Sequence, residues 1–119
     1  MPSLFNREVD TYRVDVFESS TLDYNRSIRL LLKPSGGSPA HTVSIEFPSA
    51  LPADYIDIGN AFSTVRMTAA RFEQVYEILK TESPVFFTAY EFGNLRFVGV
   101  TTDPEATGEG FRDGDTAAA

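Results

Sequence analysis

The chain has 119 residues, enough for one domain with a substantial core and too few for two. It contains no cysteine, which excludes disulfide staples and thiolate metal sites. Its formal net charge of −7 puts polyanion binding, which works mainly through Lys and Arg contacts, at a disadvantage from the start.

Hydrophobic residues make up 42% and charged residues 23%, a globular balance rather than a disordered one. The opening MPSLFNREVD lacks the basic start and apolar run of a secretory signal, and no apolar stretch is long enough to cross a bilayer. A soluble, cytoplasmic protein with no membrane partner is the expectation.

Residues 1–10 read as an arm in which Leu4 and Phe5 can dock onto something. "TYRVDVF" then puts Tyr12, Val14 and Val16 on one side and Arg13 and Asp15 on the other, the period of a strand. After a turn at "LDYNRS", "SIRLLLK" points Ile28, Leu30 and Leu32 inward. "PSGGSP" is a Pro, Gly and Ser connection, and "HTVSIEF" gives a third strand with Val43, Ile45 and Phe47 inward. Three alternating strands joined by turns predict an antiparallel meander, covered on one face and wet on the other.

Residues 49–60 read as a loop with some packed side chains, because Pro48 and Pro52 break a central strand. "FSTVRM" resumes strand character. A helix over about 68–82 follows, with Thr68 as its N-cap and Phe72, Val75, Tyr76 and Leu79 as one apolar stripe. Lys80 suits the C-terminal end of its dipole, and Pro84 prevents continuation.

A β-hairpin over about 85–102 completes the domain, turning at Gly93-Asn94. Its register pairs Phe92 with Leu95, Glu91 with Arg96, Tyr90 with Phe97, Ala89 with Val98 and Phe87 with Val100. One face then holds Val85, Phe87, Ala89, Val98 and Val100, which fit against the helix stripe. The other holds Phe86, Tyr90, Phe92, Leu95 and Phe97, which nothing obvious covers. Residues 103–119 carry five acids against Arg112 alone, a net of −4 that leaves −3 for residues 1–102. With repeated glycines and no periodicity, they read as a poorly structured acidic tail. The expectation is therefore an α+β domain over 1–102, with an antiparallel sheet of five to six strands, one main helix and a C-terminal hairpin.

Catalytic signals are sparse. His41 is the single histidine, so neither a Cys–His dyad nor a multi-histidine metal site can be built within one chain. No nucleophile elbow, Walker motif or dinucleotide fingerprint occurs, and "SGGS" opens no helix that would cradle a phosphate. Asp54 with Asp57, and Asp113 with Asp115, lack the spacing of a calcium loop and read as solvated acids. No enzyme activity, cofactor or metal is expected.

The aromatic face is the remaining signal, and three occupants compete for it. Residues 1–10 or 49–60 would cover it within the chain. A second copy would bury it at an interface. Nucleic acid bases would stack on it.

The order of three strands, then a β segment running straight into a Thr-headed helix ("STVRMTAARFEQVYEIL"), resembles the Whirly-type single-stranded-DNA-binding transcription regulators. It is also similar to the related eukaryotic transcriptional coactivators and to small uncharacterised cyanobacterial proteins with this fold. The resemblance covers roughly residues 11–82. It implies a curved antiparallel sheet followed by a helix, and paired subunits. Two departures stand beside it. A hairpin follows the helix where a second repeat is expected, and the sheet lacks lysine-rich character, with only Arg13, Arg29, Lys33 and Arg66 available for a cationic stripe that Asp15 and Glu46 interrupt.

The leading expectation is a non-catalytic, homo-oligomeric binding or regulatory module. Its interface would be Phe86, Tyr90, Phe92, Leu95 and Phe97, and its partner most simply a second subunit in a homodimer. The alternative is a single-stranded nucleic acid binder with Arg13, Arg29, Lys33 and Arg66 on phosphates.

Overall fold

The structure, a computed structural model, describes residues 3–92 and 95–102. Seven strands form one mixed, nearly closed, barrel-like sheet: β1 (Ser3–Val16), β2 (Arg26–Leu32), β3 (His41–Glu46), β4 (Ile56–Asp57), β5 (Phe62–Arg66), β6 (Val85–Phe92) and β7 (Leu95–Thr102). Their order in space is β4-β5-β3-β2-β1-β6-β7, which leaves β4 and β7 as the edges. A 3-10 turn over Ala69–Arg71 leads into the single α-helix, α1 (Phe72–Thr81).

The expected alternation sets the core. Ile28, Leu30 and Leu32 of β2, Val43 and Ile45 of β3, Val65 of β5, and Val85, Phe87 and Ala89 of β6 are all buried. From α1, Phe72, Val75 and Leu79 complete this core, three positions of the predicted stripe. Phe72 meets Phe47 edge-on at 5.2 Å between ring centres, so the helix start is pinned to the segment after β3.

Five expectations need correction. Residues 1–10 are no arm: from Ser3 onward they belong to β1, whose Ser3–Glu8 pairs with β6 while Val9–Val16 pairs with β2. A register shift between Val9 and Thr11 makes this division work. The extra residue of a bulge reverses which side chains face inward, so Phe5 and Val9 pack on the core before it and Val14 after it. Period-two reading alone joined only the second half to the sheet.

The sheet has seven strands rather than five to six, and it is not purely antiparallel, because β3 pairs with β5 in parallel. A parallel neighbour needs a crossover, and residues 47–61 supply it, with the short β4 inside the segment read as loop. Thr68 does not cap α1. It precedes the 3-10 turn without a side-chain capping bond, and Arg71 occupies the N-cap position of the α-helix. "SGGS" closes a tight turn in which Gly36 and Gly37 take φ of +55° and +86°, with Ser35 and Ser38 exchanging backbone hydrogen bonds.

The hairpin has the predicted register at every pair from Val85 with Thr102 to Phe92 with Leu95. The reading of 103–119 as a tail lies outside the described residues.

Candidate functional site

Three places hold the candidate residues: the outer face of β6–β7, the outer face of β1–β2–β3–β5, and the seam where the two sheet edges approach.

On the outer face of β6–β7, Phe86 and Tyr90 alternate with the buried Phe87 and Ala89. Tyr90 stands opposite Phe97 in register, and Phe97 is 45% exposed. Gly99 leaves room that the Phe97 ring uses, its Cζ lying 3.4 Å from where a Cβ at Gly99 would sit. Thr88 Oγ1 donates to Asn6 Oδ1 of β1 at 2.9 Å. Ser3–Glu8 thus flank this face as a paired strand instead of lying over it. Phe92 and Leu95 are paired in register, and their side chains lie outside the described residues.

The proposed cationic stripe is broken by carboxylates. Arg13 and Arg29 are cross-strand partners on β1 and β2. Arg13 pairs with Asp15 at 3.1 Å, Lys33 with Glu8 at 3.0 Å, and Arg66 with Glu46 at 2.9 Å and Asp23 at 3.3 Å. Arg29 is exposed and makes no ion pair among the described residues. The exposed pairs Arg13–Asp15 and Lys33–Glu8 contribute little to stability, and every one of these carboxylates places a negative charge where a phosphate would have to sit.

At the seam, Arg96 of β7 holds the barrel closed. Its guanidinium donates to Glu91 Oε2 at 2.9 Å and to the Ala53 carbonyl at 2.8 Å, and lies 3.6 Å from Asp54 Oδ1. It also stacks over the Tyr55 ring, 5.0 Å from the centroid, while the Tyr55 hydroxyl donates to the Arg96 carbonyl at 3.2 Å. The Glu91–Arg96 pair was legible from the hairpin register. The second half of this set, from the 49–60 segment, was not, because no local pattern signals a contact some forty residues away. Beside the seam, between β7 and α1, lies a cleft of about 530 Å³. A wider cleft of about 700 Å³ runs along the loop between β1 and β2, lined mainly by exposed polar groups including Glu18 and Asp23.

His41 is buried, 2% exposed, and its Nε2 lies 2.7 Å from Ser63 Oγ, itself 1% exposed. Ser63 Oγ also accepts from the Gly59 N–H at 3.1 Å, and the Phe5 ring lies 4.9 Å from the imidazole. Burial pushes the His41 pKa below its usual value, with the positive Arg7 nearby adding to the effect against the opposing Asn60 carbonyl. Arg7 is fixed there by hydrogen bonds to the carbonyls of Lys33 and Pro39, at 2.7 and 2.6 Å. A base in a Ser–His–acid arrangement has a carboxylate behind it to steady the imidazolium. The charged neighbour of His41 has the opposite sign, and the pair links β3 to β5.

Asp54 is exposed and lies 3.6 Å from Arg96, and no cluster of three His, Asp or Glu side chains suited to a metal ion occurs among the described residues. No helix among them is long and apolar enough to cross a membrane. Comparison of the chain with protein-family models, curated proteins and solved structures finds no match.

Proposed function

We propose that this protein is a non-catalytic binding module that self-associates through the outer face of its C-terminal hairpin. The observation that carries this reading is Phe97, a large ring left 45% exposed on the same face as Phe86 and Tyr90. Aromatic side chains are favoured anchors at protein interfaces. Fully burying one contributes on the order of 1.5–3 kcal/mol before the costs of association. Tyr90 and Phe97 face each other across the ladder, so a partner surface meets them as one patch. The same surface on a second copy is the simplest partner, because a two-fold contact is self-complementary.

The alternative, single-stranded nucleic acid on Arg13, Arg29, Lys33 and Arg66, is supported by Arg29 beside Arg13 and opposed by the carboxylates on the other cations. Titration with a labelled oligonucleotide at two salt concentrations separates the two. Salt-sensitive binding that Arg29→Ala weakens supports nucleic acid, and absence of binding at low salt removes it.

The direct test of self-association uses isotope-filtered NMR on a mixture of labelled and unlabelled chains. Intermolecular contacts from the rings of Phe86, Tyr90 and Phe97 are expected. A subunit contact elsewhere, with these rings silent, contradicts the reading.

A further inference from the structure

The Arg96 carbonyl accepts from the Tyr55 hydroxyl, so it points out of the sheet, away from β6. In an antiparallel ladder every second residue directs its backbone groups to the same side. Val98 and Val100 therefore turn their N–H and C=O groups toward the open edge of β7, and neither makes a backbone hydrogen bond beyond the β6 ladder among the described residues. Natural proteins usually blunt such an edge, because it is a template for another strand.

This edge does not face open water alone. It forms one side of the 530 Å³ cleft, within the usual size range of ligand sites, and α1 forms the opposite side. Arg71, Gln74, Val75 and Ile78 line it at the spacing of one helical face. Three arginines and no carboxylate are among the lining residues. Arg66 and Arg96 are engaged by Glu46 and Glu91, whereas Arg71 is exposed and bonds only to the Gln74 amide oxygen at 2.9 Å.

We propose that the cleft between β7 and α1 binds an extended polypeptide segment from another protein, added as an eighth strand along Val98 and Val100. The segment carries apolar side chains at alternate positions and glutamate or aspartate where it passes Arg71. Backbone pairing along the edge supplies the register, and Val75, Ile78 and the valines of β7 meet the apolar side chains. The walls on both sides favour a bare strand over the edge of a second folded copy. The absence of any acid in the lining selects against a basic one.

The inference extends the protein-binding reading to a second surface, and the two fail separately. A monomer that takes the segment refutes self-association alone, and an oligomer that does not refutes the groove alone.

The experiment titrates the full-length, nitrogen-15-labelled chain with three capped pentapeptides of pattern X-Val-Thr-Val-X, where X is Glu, Ser or Lys. The glutamate peptide is expected to shift the Val98 and Val100 amides and slow their exchange. The lysine peptide should bind about tenfold more weakly, and Arg71→Glu should reverse that order. N-methylation of the peptide amides facing β7 should abolish the shifts, while methylation of the alternate amides leaves them. Three results overturn the proposal: no peptide moving these amides at millimolar concentration, equal binding of the acidic and basic peptides, or amides already protected in the peptide-free chain. The last would mean that a second copy or another part of the same chain occupies the edge.

Discussion

His41 and Phe87 show how much single side chains decide in a domain of this size. Burial, opposed by the Asn60 carbonyl and reinforced by Arg7, makes the His41 imidazolium harder to form in the fold than in the unfolded chain. Its folded pKa therefore lies below the ordinary value of 6.5, and the unfolded chain takes up a proton first as pH falls. The stabilisation is complete above that value and is lost on acidification toward the lower folded pKa. His41→Gln should flatten the fall in stability as pH drops through and below 6.5 in urea unfolding. An unchanged slope in that range means that another group titrates there. Phe87 is 0% exposed and lies against Phe5 at 5.9 Å between ring centres. Phe87→Ala should lower stability by about 3–5 kcal/mol, read from the denaturant midpoint. A loss below about 1 kcal/mol would mean that the barrel interior collapses around the gap.

At the level of elements, what was legible tracks what is local. Each arm of the hairpin alternates, and two residues separate the arms, so the register followed from counting. The stripe of α1 was equally plain, whereas its start was not, since Thr68 carries the residue type of a cap without making the bond. The first half of β1 was hidden by its bulge, which shifts the apolar period by one residue in mid-strand. The parallel pairing of β3 with β5 and the two-residue β4 rest on contacts set by tertiary packing, to which short-range periodicity is blind. The same blindness concealed the role of Arg96, which sequence reading confined to its hairpin partner Glu91. Arg96→Ala should open the seam: amides of Tyr55–Asp57 should exchange faster, with about 1 kcal/mol lost overall because the pairs are partly exposed. Unchanged exchange there would show that β4 is held by β5 alone.

For the molecule as a whole, the candidate sites fall on surfaces that alternation creates and the fold then sorts. Period two placed Phe86, Tyr90 and Phe97 on one side of the hairpin, and the sheet keeps that side outward. Period two equally placed Arg13, Arg29 and Lys33 outward, with Asp15 beside Arg13 on the same strand face, whereas the pairing of Lys33 with Glu8 depends on strand pairing that sequence does not reveal. Self-association through the aromatic face is tested most directly by sedimentation of the parent chain and of the Tyr90→Ser/Phe97→Ser variant, from low to high micromolar concentration. The parent should sediment as a dimer or larger species, and the variant as a folded monomer with an unchanged circular dichroism spectrum. A parent that stays monomeric at high micromolar concentration would contradict the account.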